Sequence, residues 1–279
     1  MELVCTIAAP LRRFVRFSVP ELSEVKYIRS RDNPLLIELR KQIKNPAAYR
    51  KTGRVWLEGE HLCEVAAYQQ SLRVSHALIS ETGWQDPRLG ALARSANTVL
   101  VLGDSLMASL SSLESPASLG FMTSLPTHHK LNESMATVIL DRLQDPGNVG
   151  TILRSAAAFG FQQIVAIKGT VALWSPKVLR AGMGAHFSLR LLELLDSESL
   201  GHLNVPILLS SPHATEAIHQ TTIPWPCAWV IGHEGQGVAE EVARYAQRRL
   251  RIPQPAGQES LNAAMAASIC LYETVRFHA

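Results

Sequence analysis

Residues 136–169 read ATVILDRLQDPGNVGTILRSAAAFGFQQIVAIKG. An uncharged apolar run, ATVIL, ends in a segment rich in Pro and Gly. A helical pattern, GTILRSAAAFG, follows, and a second apolar run, QQIVAIKG, closes the stretch. Two strands joined through a helix lie parallel, because a direct hairpin would need only a short turn. The pattern then continues to the C-terminus. SPKVLRAGMG reads as a helix, PILLSS and CAWVIG as strands, GVAEEVARYAQ as a helix and RRLRIPQ as a strand. Uncharged strands alternating with helices predict an α/β fold with a largely parallel sheet covered on both faces. The last helix, within ESLNAAMAASICLYE (residues 259–273), carries no charge from Leu261 to Leu271. A surface helix normally shows a charged face, so this one is expected to be packed on all sides.

The first half is organised differently. Residues 1–20 have no helical period and read as an arm. NPLLIELRKQIKNPAAYRKTG predicts an amphipathic helix and a turn, and RVWLEGEHLCEVAAYQQS a strand leading into a helix. VSHALIS and NTVLVLG are short strands, and SLMASLSSLESPASLGFMTSLP is helix, turn and strand. The polar stretch PTHHKLNESM, residues 126–135, reads as a linker. The expected division is therefore an arm (1–20), a smaller α/β domain (21–125), a linker (126–135) and a larger parallel-sheet domain (136–279).

The chain has 279 residues, 47% of them hydrophobic and 18% charged, enough apolar material for a substantial core. It holds no uncharged apolar run of the roughly 18 residues that a membrane span requires. The start, MELVCTIAAPLRRF, makes a poor signal peptide, although its arginines leave a mitochondrial-type presequence open. Cys5, Cys63, Cys227 and Cys270 show no metal or redox spacing, which points to a reducing cytoplasm and to no metal site. Net charge is +3, yet residues 1–54 hold 12 Lys and Arg against 5 Asp and Glu. A basic N-terminal surface suits a polyanion. Lys41, Lys44, Arg50, Lys51 and Arg54 flank one predicted helix and turn and are the candidate phosphate contacts.

In open parallel sheets, ligands sit beyond the C-terminal strand ends. Three loops there stand out. DPGNVGTILR places Asn148, Gly150 and Arg154 after a strand. VIGHEGQGV, residues 230–238, packs three glycines and Glu234 after another. It is not the G-x-G-x-x-G dinucleotide fingerprint, and Glu234 would repel a pyrophosphate. IPQPAGQESLN fixes a loop with two prolines before Ser260, a natural N-cap, and Asn262 in the first turn of the last helix.

In this order, Asn-x-Gly-x-x-x-Arg, Gly-x-Glu-Gly-x-Gly and Ile-Pro…Ser-Leu-Asn-x-x-x-Ala resemble the three motifs of the SpoU/TrmH family of RNA ribose 2′-O-methyltransferases, within the SPOUT superfamily. The resemblance covers residues 136–275 closely, including VLRAGMGAHF, and WLEGEHLCEVA resembles the family's small substrate-binding domain. IPQ stands where many members carry Ile-Pro-Met. The resemblance implies a C-terminal knotted (deep trefoil) parallel-sheet methyltransferase domain with a smaller N-terminal α/β substrate-binding domain. It implies S-adenosylmethionine as cofactor, contacted by Gly232, Ile252 and Leu261. It implies catalytic or RNA-positioning roles for Asn148, Arg154, Glu234, Ser260 and Asn262.

It also implies a homodimer through the catalytic domain, with Ile152, Ala156 and Phe159 and with Leu271, Tyr272 and Phe277 at the contact. An Arg154 from one subunit would then reach the other's pocket. Arginine holds its proton above pH 12, and lowering that by about five units would cost about 7 kcal/mol. Positioning RNA is thus the cheaper role for Arg154, with Glu234 orienting it. His186 and His233 are the histidines available to assist proton removal. Two rival readings are a Rossmann-type nucleotide enzyme and a non-catalytic RNA-binding relative. The first would need its glycine loop after the first strand, and the second would have lost the three loops. The expected substrate is ribosomal RNA, with transfer RNA as the alternative.

Overall fold

The structure is a computed structural model in which residues 24–69, 72–111, 114–126, 130–255, 261–276 and 278 are described. The arm, the central part of the linker, Ser260 and Phe277 lie outside the described residues. The first lobe contains β1 (Glu24–Ile28), α1 (Pro34–Lys44), α2 (Tyr49–Thr52), β2 (Arg54–Glu58), α3 (Glu60–Ala67) and β3 (Val74–Ser80). It continues with α4 (Glu81–Gln85), α5 (Pro87–Ala93), β4 (Thr98–Leu102), α6 (Asp104–Ala108) and β5 (Leu119–Ser124). Its five strands form one sheet in the order β1-β4-β3-β5-β2. β1, β4 and β3 run parallel, and β5 runs antiparallel to both β3 and β2.

The second lobe starts with the unit quoted first: β6 (Thr137–Asp141), α7 (Pro146–Ala158) and β7 (Gln163–Ile167). Then come α8 (Pro176–Gly182), β8 (Arg190–Leu195), β9 (Ile207–Ser210), β10 (Glu216–Ala217) and β11 (Ala228–Gly232). The chain ends with α9 (Glu240–Ala243), β12 (Arg248–Arg251) and α10 (Ala263–Val275). Seven strands, all parallel, take the order β10-β12-β9-β11-β6-β7-β8. From β6 the chain builds outward to β7 and β8, then returns to the other side through β9 and β11. The loops after β6 and β11 therefore meet where strand order reverses, the position at which open sheets bind ligands.

Three strands escape the sequence reading. β1 and β10 sit at sheet edges, where one flank lacks a partner and the apolar signal is weak. β8, RLLELL, lacks clean alternation, and its register slips where Leu194 adopts φ 60°. The predicted helix GVAEEVARYAQ shrinks to the single turn of α9. Pro146 and Gly147 are the first turn of α7 rather than a turn before it. Asp145 is the N-cap, accepting from the Asn148 N–H at 2.8 Å, and proline at the first helical position lacks a donor that would be unused there.

Helix α7 lies unusually close to α8. A Cβ built on Gly150 would stand 2.4 Å from the Ala181 Cβ and 2.7 Å from the Gly182 nitrogen. One on Gly182 would stand 2.5 Å from the His186 ring. Glycines in both motifs thus serve helix packing.

Helix α10 buries Ala264, Ala267, Cys270, Leu271 and Thr274 against α7 and the sheet. Trp229 Nε1 donates to Thr274 Oγ1 at 2.8 Å, and Ser155 and Ser268 hydrogen-bond between α7 and α10 at 2.8 Å. The expected all-round packing is not found within one chain. Met265, Ile269 and Tyr272, spaced along one side, are 62%, 36% and 49% exposed. The expected contact set also changes: Ile152, Ala156 and Leu271 are fully buried in the chain's own core and cannot face a partner.

The lobes meet through α2, β2 and α3 on one side and α8 and β8 on the other. Tyr49 Oη donates to the Glu193 carboxylate at 2.6 Å, Arg50 pairs with it at 2.7 Å, and the Leu173 N–H donates to it at 2.9 Å. Burial, then the neighbouring Glu193 charge, raises the Tyr49 hydroxyl far above its ordinary range, so it remains a donor. Arg180 reaches the buried Glu58 at 3.4 Å, and His61 Nε2 donates to the Met183 carbonyl at 3.3 Å.

Gly150→Ala tests the α7–α8 contact. The methyl meets backbone, which cannot rotate away, so the variant should lose about 1–3 kcal/mol. Thermal denaturation followed by circular dichroism should show a melting temperature lowered by about 3–10 °C.

Candidate active site

The loops after β6, β11 and β12 converge at the C-terminal edge of the second sheet. Glu234 sits in the turn after β11, where the His233 N–H donates to the Gly237 carbonyl at 3.1 Å and the Gly237 N–H returns to His233 at 2.9 Å. Gly237 takes φ +69°, which favours glycine. Any side chain on Gly232 would stand 2.5 Å from the Gly237 and Val238 backbone, so the loop folds flat over it.

The Glu234 carboxylate collects three donors. The Gln144 N–H reaches Oε2 at 3.2 Å, while the Asp145 N–H at 3.2 Å and Asn148 Nδ2 at 3.1 Å reach Oε1. The other end of the Asn148 amide accepts from Asn262 Nδ2 at 2.9 Å. Asn262 in turn is the N-cap of α10, accepting from the Ala264 and Met265 N–H groups at 2.9 and 3.2 Å. The cap expected at Ser260 is thus supplied by Asn262. Partial burial alone would raise the Glu234 pKa, but the donors of Asn148, Gln144 and Asp145 outweigh it and hold the group below its ordinary range.

The expected Glu234–Arg154 contact is not formed. Arg154 lies on the exposed face of α7, six residues and about 9 Å of helix axis beyond Asn148. It has no hydrogen bond or ion pair among the described residues. Neither histidine is built as a base. His186 is buried against Trp174, donates through Nε2 to the Leu173 carbonyl at 2.9 Å, and is lowered by burial to about 4. His233 uses its Nδ1 lone pair to accept from the Gly235 and Gln236 N–H groups at 3.0 and 3.2 Å. A neutral imidazole has one such lone pair, and here it is spent on the turn.

Beside the network opens a cleft. Gly232, Ile252 and Leu261, the three expected cofactor contacts, all line it, with Val230, Ala263 and Ala266. Sequence reasoning missed Asp141, Arg142 and Gln236. The fully buried Asp141 accepts from the Ala239 N–H at 2.7 Å and pairs with Arg142 at 3.0 Å. Arg142, at φ 57°, also reaches Gln236 Oε1 at 3.1 Å and the Gly237 carbonyl at 3.4 Å. The two residues clamp the far limb of the loop onto β6. A lone acid closing an apolar strand was the available signal.

Residues 135–272 match the model of the SpoU rRNA methylase family. An uncharacterized tRNA/rRNA methyltransferase of Synechocystis sp. is 33% identical over 272 residues, covering 92% of this chain and 96% of its own. The chain belongs to the SpoU rRNA methylase family. Another relative, the 23S rRNA (guanosine(2553)-2′-O)-methyltransferase of Bacillus subtilis, is 26% identical across 80% of this chain and 88% of its own. A crystal structure of an RNA 2′-O ribose methyltransferase superposes with a TM-score of 0.75 at 28% identity, over 91% of this chain and 99% of that one. The α/β fold with a parallel-sheet core is thus that of SpoU methyltransferases, and the Glu234–Asn148–Asn262 network joins the three motifs that resemble the family's.

The charge state of Glu234 gives a pH test. Its folded pKa is depressed, so its stabilisation is complete above the unfolded value, about 4.3, and is lost as pH falls through the lower folded value. Urea midpoints of wild type and Glu234→Gln should differ at pH 7 and converge towards pH 3. A constant difference across that range would mean that the charge is not what holds the loops.

Proposed function

We propose that this SpoU-family protein is an S-adenosylmethionine-dependent methyltransferase that methylates a ribose 2′-hydroxyl in ribosomal RNA. The observation that carries the reading is the hydrogen-bonded network tying all three loops together at the rim of the cleft. The cleft suits the cofactor. Val230, Ile252, Leu261 and Ala266 offer apolar walls for a base, Glu234 offers negative charge near a sulfonium, and Gly232 admits no side chain. When bound, the cofactor supplies an electrophilic methyl group on that sulfonium.

The remaining work falls to the protein. A ribose hydroxyl is a weak nucleophile, so it must be held in line and its developing negative charge stabilised. Asn148 donates to Glu234 and Asn262 donates to Asn148, which holds the three loops in register at the rim. Arg154, uncommitted within the described chain, positions phosphate or ribose.

We further infer that the C-terminal segment threads through a loop to form a deep trefoil knot, as the resemblance implies. Small residues on the buried face of α10 support this, since they let the helix pack close to its neighbours. We infer, too, that the Met265, Ile269 and Tyr272 face is covered by a second copy. That contact would bring the partner's Arg154 towards the cleft, and a two-fold axis would build two such sites.

The first lobe, residues 21–125, is read as the RNA-binding domain. Lys41, Lys44, Lys51 and Arg54 are exposed on it. Arg50 is withdrawn from the expected set because Glu193 occupies it. Arg54 lies near Glu38 at 3.5 Å, an exposed pair that phosphate can replace.

Incubation with S-adenosylmethionine and ribosomal RNA, followed by nuclease digestion and mass spectrometry, should reveal a 2′-O-methyl nucleoside. A methyl on a base atom would overturn the reading. Arg154→Ala should lower kcat about 10²–10³-fold while cofactor affinity stays within a few-fold. Mixing it with a Gly232→Val protein should restore part of the activity if subunits share sites.

RNA affinity of wild type should fall steeply with salt. Lys41→Ala with Lys44→Ala should reduce the slope of log affinity against log salt by about 1.5. An unchanged slope would remove both lysines from the RNA surface.

A further inference from the structure

Gln254 carries a buried side-chain oxygen that has no hydrogen-bond partner among the described residues. The residue lines the cleft beside Ile252. Buried polar atoms in folded proteins are paired as a rule, and an unpaired acceptor in the wall of a ligand site is matched by a donor on the ligand. Its setting is rigid. Pro253 and Pro255 flank it, each fixing its own φ and lacking an N–H. The side chain is therefore presented from a short segment with little freedom, and an apolar side chain such as methionine would need no partner there.

We propose that Gln254 reads the six-position edge of the cofactor's adenine, its amide oxygen accepting from the exocyclic amine and its amide nitrogen donating to an adjacent ring nitrogen. This rests on the reading of the cleft as the S-adenosylmethionine site. The cofactor offers three kinds of donor. Its ammonium carries positive charge, as does the sulfonium, and charge is drawn to the ionised Glu234 rather than to a neutral amide. Its ribose hydroxyls rotate freely and satisfy themselves with water or with backbone carbonyls. The adenine amine is a fixed, planar donor beside a ring acceptor, and a carboxamide matches both at once, as it does when Gln or Asn reads adenine in nucleic acids. The base also needs flat apolar walls, and Ile252, two residues before Gln254, supplies one of them. The chain thus recognises the base with a side chain and not with shape alone.

Calorimetric titration of the full-length protein with S-adenosylhomocysteine and with S-inosylhomocysteine tests this. The second ligand replaces the amine by a carbonyl and so sets acceptor against acceptor. Wild type should prefer the adenine ligand by at least about tenfold. Gln254→Met should weaken S-adenosylhomocysteine by about tenfold and bring the two dissociation constants within about threefold. Gln254→Leu, run in parallel, should do the same, and the unliganded melting temperature of each variant checks its fold. An undiminished preference in folded variants would mean that backbone reads the base, and equal weakening of both ligands would place the contact on the ribose or the amino-acid tail. Either result overturns the proposal. Wild type that binds neither ligand would overturn the cofactor reading and this proposal with it, an outcome distinct from a lost preference.

Discussion

One carboxylate sets the geometry of this site. Glu234 is an acceptor only, and it faces two backbone N–H groups and the amide nitrogen of Asn148. That choice orients the Asn148 amide: its nitrogen must face Glu234, so its oxygen must face away. The oxygen can then be satisfied only by a donor, which Asn262 supplies. Asn262 has its own oxygen committed to the first turn of α10. The polarity of each group follows from the one before, and reversing any amide would set like against like. Loops separated by 86 and by 114 positions in the chain are thereby held in one arrangement before any ligand arrives. Such pre-organisation is what a weak oxygen nucleophile requires.

The architecture that brings the loops together was legible in the sequence for a simple reason. β6, β7, β9 and β11 are buried on both faces, so they must be apolar throughout, and such runs stand out between helices. The wall of the cleft was legible too, because glycines and prolines mark places where backbone geometry is constrained. The partners of those residues were harder to read. Glu234 and Arg154 looked like a pair because opposite charges attract, but helix geometry carries Arg154 along α7 and away from the loop. Gly150 looked like a point of close backbone approach in a ligand loop but is a helix contact. Asp141 and Arg142 went unnoticed because a two-residue clamp has no periodicity. Whether a buried hydroxyl or amide finds its partner depends on tertiary position, which no local pattern records.

The outer face of α10 shows the same division. Its lack of charge was plain from sequence and was read as burial on every side. In the single chain, half of that prediction is met by Ala264, Ala267 and Cys270, and the other half is a row of exposed apolar side chains. A sequence records what each residue must tolerate in the complete assembly, whereas one chain displays only the contacts it makes with itself.

The junction between the lobes has a bearing on how such proteins diversify. Glu193 sits on the last strand at one margin of the large sheet, and its carboxylate is shared by Tyr49, Arg50 and the Leu173 backbone. Glu58 and Arg180 make a second tie nearby. Each tie has one half in either lobe, and in each the half left behind would be a partly buried polar group without its counterpart. The lobes are therefore not freely interchangeable parts. Grafting a foreign first lobe onto this second lobe requires Tyr49, Arg50 and Glu58 to travel as a matched key for Glu193 and Arg180.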